Sequence, residues 1–529
     1  MKKRELVILS IIYSLSLFIG ISFLIKGDLS LVFNSLLLLI IPLIIGIYYI
    51  LKYIVKKIEI KSNKKNNNKF FKIFDKHPFL VSIVILIICW LPYIIAYYPA
   101  ILNHDAAFQI KQFLGIDNKY SYYVNLIDKN QIITNHHPVI HTLLLGSLVK
   151  LGMILGNDNI GFFFYSIIQI LILSSTLSYS IKYAKDNKVS IYRRFNMLLI
   201  YSLVPVFPFY SMTAVKDVIY TCIIILYLIF IHKMINGDYK VSTCIKMVLI
   251  SILLFLFRNN GIYVFFLSFI FLLLKNKNWK KVLIIFILIL SLYKTYDKVI
   301  LPYFKVTPTS VRETLSVPFQ QTARYAKYYE KELTKEDIKT ISKILDYEEI
   351  KSNYNPDLAD PVKNTFNKDA SKEDIKKYFK VWFKGLTKKP LVYIEATLNN
   401  TYGYFCPFKT SWYFYHKLAS ELKGDNIHYH YMRSTKNMRN TLKSYALIFP
   451  YIPVVGLLVN IAFNNWLILF YLFMFISKKK YRSIIYLMPA IVSILVCFAS
   501  PANTYFRYAM PIIFSIPLIT VLFKKDIDT

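Results

Sequence analysis

Cysteine is scarce in this chain: five occur in 529 residues, and Cys89, Cys222, Cys244 and Cys497 fall within or beside apolar runs, leaving Cys406 alone in a polar stretch. That distribution excludes an external disulfide framework. Acidic residues are few as well, Asp+Glu 30 against Lys+Arg 65, for a formal charge of +35. In a soluble protein such a surplus points to nucleic acid. Here the basic residues gather at the ends of apolar runs, where they act as topology signals, and nucleic acid drops out as a partner. A small-residue cleavage site is also missing after the opening Met1-Lys2-Lys3-Arg4 and the apolar run from about Leu6 to Ile25. The segment therefore reads as a retained first helix rather than a signal peptide.

What the chain has in abundance is apolar sequence: 56% hydrophobic residues, a mean hydropathy of +0.43, and repeated apolar runs near twenty residues long. Runs of that length need lipid, and they predict an all-α polytopic membrane protein. The first three fall at about 6–25, 31–50 and 79–97. Lys52, Lys56, Lys57, Lys61, Lys64, Lys65, Lys69, Lys72 and Lys76 place the loop between the second and third in the cytoplasm, together with the N-terminus, so residues 98–137 lie outside. The stretch from His137 to Leu155 is expected to lie along the outer membrane surface. If it crossed, Lys182, Lys185, Lys188, Arg193 and Arg194 would face outward, against the charge rule.

Further spans are expected at about 160–181, 195–210, 217–235, 241–257, 261–274 and 282–300, with basic inner turns at Lys233 to Lys246 and Lys275 to Lys281. The 241–257 and 261–274 runs reach only about 26 and 21 Å at 1.5 Å per residue. Their shared turn, Arg258-Asn259-Asn260-Gly261, is therefore expected below the outer surface, where irregular backbone must line a protein-walled or watery cavity. From about Leu301 to Ser444 the composition becomes soluble in character. Thr334-Lys335-Glu336-Asp337 and Ser371-Lys372-Glu373-Asp374 each set a hydroxyl cap ahead of acidic first-turn residues. Ile375, Phe379, Phe383 and Leu386 then recur at helical spacing, as one apolar face. The proline-containing run at 445–461 is expected to lie on the surface, and spans at about 462–477, 483–499 and 508–523 complete about twelve, with both termini cytoplasmic. The expected organisation is a membrane module over 1–300 with its first outer loop at 98–159, an extracytoplasmic, mainly helical domain over 301–461, and C-terminal membrane helices over 462–529.

Several polar residues are placed where chemistry is done. Asp105, in the stretch from Tyr98 through His104 to Gln109, follows the third span in an outer loop, where a partly desolvated carboxylate can serve as a base or a cation ligand. A solvated turn is the bland alternative. Asn135-His136-His137-Pro138-Val139-Ile140-His141 opens the membrane-lying helix, with His137 and His141 spaced to share a face. With Asp105 these could hold a divalent metal, Mg or Mn among them, although the catalytic Glu of the zinc-peptidase motif is missing. Lys216 and Asp217 open a span at its outer end, either to neutralise each other or to face a cavity. Arg258 has no sequence-adjacent acid, so an anionic ligand is its best use beside a structural ion pair. Arg507 and Tyr508 lie at the last outer turn, where a phosphate contact and an interfacial anchor both fit. In the external domain, the Pro318 to Tyr325 stretch with Arg324 suits either sugar stacking or an ordinary interface.

These features together resemble the GT-C class of integral-membrane glycosyltransferases, and more narrowly a family of multi-pass proteins from low-GC Gram-positive bacteria. The resemblance rests on Asp105 in the first long outer loop, on His136-His137-Pro138 before a juxtamembrane helix, on the Arg258 turn between short spans, and on the late Arg507-Tyr508 turn. It covers most of the chain, although two spans precede the loop where many members have one, and the commonest acidic pair appears here as His104-Asp105. What it implies is a plasma-membrane enzyme in which Asp105 deprotonates an acceptor hydroxyl. Lys216, Arg258 and Arg507 would hold the phosphate of a polyprenyl-phosphate sugar donor. His104, Gln109, His137, Asp217, Asn259, Asn260, Arg324 and Tyr508 would line the substrates, and the acceptor would be a cell-surface glycan, a lipid or a protein. Outside the membrane no nucleotide sugar is supplied, so an outward-facing transferase must use a lipid carrier, and recessed cations stabilise the departing phosphate. A single displacement would invert the anomeric centre. A lipid-linked glycan polymerase or ligase shares this chemistry. A transporter or flippase also places cations at membrane depth, but an inverted repeat between halves is missing.

Overall fold

The computed structural model describes residues 1–58, 68–116, 133–274, 277–409, 413–416, 422 and 427–528. Lys61, Lys64, Lys65 and Lys275, and the middle of the first outer loop, lie outside the described residues. Among the described residues seven helices are long and apolar enough to cross a membrane, and the count rises to eight if one bent pair is a single span. In chain order the first elements are α1 (Lys3–Ile25), α2 (Ile40–Ile58), α3 (Lys69–Lys76), α4 (Pro78–Ala96), α5 (His104–Leu114), α6 (Val139–Ile154) and α7 (Asp158–Asp186). They are followed by α8 (Ile191–Leu203), α9 (Val206–Met212), α10 (Lys216–Ile235), α11 (Val241–Phe257), α12 (Gly261–Leu274) and α13 (Trp279–Thr295). The described residues thus form an all-helical membrane-type fold, with a single two-residue parallel pairing of β1 (Ile101–Leu102) and β2 (Thr213–Ala214).

Two expected spans are corrected. The second begins later than residue 31: its apolar stretch runs from Leu37 to Ile58, because the preceding chain is folded into turns, with Asp28 Oδ1 accepting from the Ser30 N–H (2.8 Å), and a 3-10 turn at Ser35–Leu39 leads into α2. The 195–210 run is broken into α8 and α9, which meet at 53° across Val204-Pro205. Proline cannot donate the hydrogen bond that would continue the helix, and it disfavours helical backbone at the residue before it.

The bundle is organised around two helices. The apolar windows of α10 and of the C-terminal helix α23 (Phe506–Asp528) are 89% buried, against 17% for the stretch that contains α2, so the first two form the centre and the last faces outward. Close approach of α6 and α7 depends on glycine: a methyl on Gly152 would lie 2.4 Å from the Gly161 nitrogen, and one on Gly161 2.8 Å from the Leu148 carbonyl. At one end of the bundle, groups expected in the cytoplasm come together. Arg194 pairs with Asp75 (2.5 Å), Arg193 with Asp528 (3.6 Å), and Lys525 donates to Asn187 (3.3 Å).

At the other end sits the soluble-type domain, built from α14 (Ser316–Tyr329), α15 (Lys335–Ser342), α16 (Tyr347–Asn353), α17 (Asp360–Lys363), α18 (Lys372–Lys388) and α19 (Pro390–Asn399). Both expected capping boxes are present, at Thr334 and Ser371. Its core gathers Phe319, Ala323, Ile341, Ile350 and Tyr378. Phe383 departs from the expected apolar face of α18: it is 60% exposed, whereas Phe379 and Leu386 pack inward. Over 445–461 the chain forms the end of α20 (Lys436–Ile448) and two 3-10 turns, Phe449–Tyr451 and Val455–Val459, none of span length. It then enters α21 (Ile461–Ser477), α22 (Tyr481–Phe498) and α23 (Phe506–Asp528). These last helices pack within the first module rather than apart from it, as in the Tyr13–Trp466 stack (4.4 Å) and the Phe207–Phe514 contact (4.3 Å).

Candidate functional site

The strand pairing determines where the charged residues meet. Ile101 is in register with Thr213 and Leu102 with Ala214, and both strands run directly into helices, α5 and α10. Each helix carries an aspartate in its first turn, Asp105 and Asp217, where the unsatisfied N–H groups and the helix dipole favour a carboxylate. Asn103 caps α5, its side-chain oxygen accepting from the Ala106 N–H at 2.9 Å.

Around these two carboxylates stand three cations. Asp105 Oδ2 lies 2.7 Å from Arg507 Nη1 and 3.9 Å from Lys216 Nζ. Asp217 Oδ1 lies 2.9 Å from Arg258 Nη1, and its Oδ2 lies 3.6 Å from Arg507 Nε. Asp217 is fully buried, and no well-aligned hydrogen bond from the described residues reaches either of its oxygens, so charge alone holds it. Lys216 Nζ also contacts His137 Nδ1 at 2.8 Å. The guanidinium of Arg258 sits 5.0 Å from the Tyr508 ring and 5.4 Å from that of Tyr220, and Arg507 sits 4.8 Å from that of Tyr505. Counting formal charges with neutral histidine, the cluster carries a net +1.

The soluble-type domain extends this network. His136 stacks edge-on against His137 (4.6 Å) and approaches Glu313 (3.9 Å), which also receives Lys363 (2.8 Å) and Arg312 (3.2 Å). The domain also clamps the loop that carries Arg507: Asn503 Nδ2 donates to Asp357 Oδ1 (2.8 Å), and the Gly403 N–H donates to Asn503 Oδ1 (2.9 Å). Glu313 and Lys363 gave no signal in the sequence, since nothing in a mixed-charge domain distinguishes the pair that faces the membrane module.

Burial works to raise the Asp105 carboxyl, yet Arg507 foremost, with His137, Lys216 and His136, holds it well below the usual carboxylate range. His136 is pushed down to about 4 by burial, with Glu313 opposing, and His137 falls well below its ordinary value through burial and Lys216. Both imidazoles are therefore neutral at pH 7.

The chain belongs to the DUF6020 family. The match runs over residues 6–528, and the family is described as a family of unknown function. No curated protein and no solved structure matches it.

Within this DUF6020 protein, Asp105, Lys216, Arg258, Arg507, Asp217, His137 and Tyr508 are brought together. Other expected ligands are not. Gln109 is fully buried and bonded to Thr142 (2.9 Å) and His141 (3.1 Å), so it braces α5 against α6. Asn259 donates to the Asn135 carbonyl (2.8 Å) and so ties the Arg258 turn to the first outer loop, while Asn260 and His104 are exposed. Arg324 lies elsewhere, paired with Glu395 (2.6 Å) and near the Gly27 carbonyl (3.4 Å), where it joins the soluble-type domain to the loop after α1. One face of its helix α14 packs into the domain core through Phe319, Ala323 and Ala326.

Three further points change. His137 and His141 do not share a helical face, because α6 begins only at Val139 and the residue before Pro138 is kept out of helical backbone. His141 instead sits between Gln109 and Tyr165 (2.8 Å). No group of three His, Cys, Asp or Glu side chains suited to a metal occurs among the described residues. Asp105 and Asp217 face ammonium and guanidinium groups, so the donor set fits an anion better than a divalent cation. Finally, Lys216 and Asp217 do not neutralise each other; adjacent helical positions point apart, and each finds its partner on another element.

Proposed function

We propose that this protein is a bacterial plasma-membrane glycosyltransferase that moves a sugar from a polyprenyl-phosphate donor to an extracytoplasmic acceptor, with inversion. The observation that carries this reading is the open ring of ion pairs running Lys216–Asp105–Arg507–Asp217–Arg258 beneath the external domain. Joining α11, α12, α13 and α21 to the eight longer spans brings the topology to twelve, with both termini cytoplasmic and the ring on the outer side.

In this scheme the donor phosphate, an anion, competes with Asp105 for Arg507 and Lys216. Asp217 stays in place, because it is fully buried, and keeps Arg258 and Arg507 oriented. Asp105, freed from its partners, regains basicity and takes the proton from an acceptor hydroxyl. The hydroxyl oxygen attacks the anomeric carbon, the bond from that carbon to the phosphate oxygen breaks, and the lipid phosphate leaves with the electron pair. Arg258, Arg507 and Lys216 stabilise its charge in a water-poor setting. Holding donor and acceptor between the first outer loop and the external domain contributes the rest of the rate.

The experiment is direct. Purified protein in detergent, given polyprenyl-phosphate sugar and an envelope-derived acceptor fraction, should release free lipid phosphate. Movement of the labelled lipid between leaflets without its cleavage would replace this reading with a flippase.

A further inference from the structure

A cleft of about 330 Å³ opens between the first two helices, at the end of the bundle where basic residues gather. That volume is far above the roughly 10–15 Å³ that admits one water. Lys3 and Leu6 of α1 form one wall, and Tyr48, Lys52, Val55 and Lys56 of α2, recurring at helical spacing, form the other. Leu6 and Val55 are buried and make the floor, while the three lysines are exposed at the rim. No acid is among the described residues that line it. The nearest one in sequence, Glu5, is buried and already paired with Arg4 (3.3 Å).

Neighbouring contacts fix where this cleft lies. The backbone N–H of Lys2 donates to Ser477 Oγ (2.6 Å) at the end of α21, and Lys524 donates to the Ile58 carbonyl at the end of α2. The start of α1 and the end of α2 therefore meet at the same end of the bundle as the Arg193 to Asp528 pair, opposite the charged ring. Away from α1, helix α2 is bare: its apolar stretch is 17% buried, with Ile41, Ile45, Tyr49 and Tyr53 exposed. A face of that kind is stable against hydrocarbon rather than water. The lysine rim thus stands where an apolar span gives way to basic chain, which is the depth of lipid headgroups.

We infer that this cleft binds the headgroup phosphate of an anionic membrane phospholipid, whose acyl chains lie along the bare face of α2. Three ammonium side chains around one space repel one another until an anion enters. Lysine suits the role, since it meets phosphate as a point charge and demands no bidentate geometry. A soluble phosphate carries the same charge, but only a lipid also covers the apolar face beside the lysines, so the lipid is the ligand assigned. Binding here is separate from the ring at Asp105 and does not depend on the transfer reaction.

The test titrates the purified protein in detergent with phosphatidylglycerol, phosphatidylcholine or glycerol 3-phosphate, read by native mass spectrometry and thermal unfolding. The wild type should retain phosphatidylglycerol at concentrations where phosphatidylcholine is lost, and should unfold at a higher temperature when it is bound. The combined variant Lys3→Gln, Lys52→Gln, Lys56→Gln should bind phosphatidylglycerol about 10²-fold more weakly, at about fivefold per lysine. A second variant, Lys69→Gln, Lys72→Gln, Lys76→Gln, removes equal charge from exposed positions of α3 outside the cleft and should stay within about twofold of the wild type. A measurement on the wild type alone covers misfolding of the first variant: a diazirine beside the headgroup phosphate of phosphatidylglycerol should label peptides containing residues 3–6 or 48–56. Equal affinity in the first variant and the wild type, equal weakening in the two variants, or labelling confined to other helices overturns the cleft as the site. Stabilisation by glycerol 3-phosphate equal to that by phosphatidylglycerol at the same concentration overturns the lipid in favour of a free phosphate.

Discussion

Replacing Asp105 with Asn should tighten binding of polyprenyl phosphate while abolishing transfer, two opposite effects of one change. In the resting protein the carboxylate occupies cations that the phosphate needs, at 2.7 Å from Arg507 and 3.9 Å from Lys216. A pair of unit charges near 4 Å interacts by about 4 kcal/mol at an effective dielectric of 20, much of it offset by desolvation. A hydrogen bond to a charged group nets about 1.5–3 kcal/mol. Ligand binding that no longer displaces the carboxylate should therefore gain about 2 kcal/mol, roughly 30-fold in Kd. Loss of the base should lower transfer by about 10² to 10⁴. The empty variant carries a net +2 in the ring, so it should melt below the wild type and recover more when polyprenyl phosphate is added. Equilibrium binding of labelled polyprenyl phosphate, transfer assays and thermal unfolding in detergent read these quantities. Equal affinity in the two proteins would refute the competition, and normal transfer by the variant would refute the base.

Other changes separate chemistry from scaffold. Arg258→Lys keeps the charge but loses the planar group set against Tyr508 and Tyr220, and transfer should fall about tenfold or more with little change in abundance. Gly261→Ala places a methyl 2.1 Å from the Leu254 carbonyl, so the Arg258 turn must open; thermal unfolding should show a loss of about 2–4 kcal/mol. Arg324→Ala should lower melting temperature and leave KM for the donor unchanged, because its partner Glu395 belongs to a domain contact. His136 titrates near 6.5 when unfolded and at about 4 when folded, so the unfolded chain binds more protons between those values. Its contribution is complete above about pH 6.5 and is lost as pH falls toward 4, by about 3 kcal/mol. Unfolding of His136→Gln followed across that range should be correspondingly less sensitive to pH.

The sequence revealed much of this fold because membrane helices announce themselves by length and composition. The runs at 79–97, 217–235 and 241–257 agree with α4, α10 and α11 to within a residue or two, and the Arg258 turn falls between α11 and α12. Site residues from four distant stretches were legible because an ionisable group at the outer end of an apolar run has few structural uses. Their pairing was not legible. A two-residue strand contact has no periodicity to detect, so the register that sets Asp105 beside Lys216 emerged only from the fold. Likewise, the choice of Asp217 as partner of Arg258 depends on tertiary placement across 41 positions of chain. The break at Pro205 had a signal in the proline itself, which hydropathy averaged away.

The short parallel bridge also carries a rule about spacing. Only two residues separate Leu102 from Asp105, and a single one separates Ala214 from Lys216. One inserted residue at either place would turn the first helical turn by about 100° and swing its acid or base out of the ring. Lengthening the outer loop well beyond α5 would leave that geometry untouched. Engineered insertions between Leu102 and Asp105 and well beyond α5 should therefore differ sharply in tolerance, even though both fall in the same stretch of chain between α4 and α6.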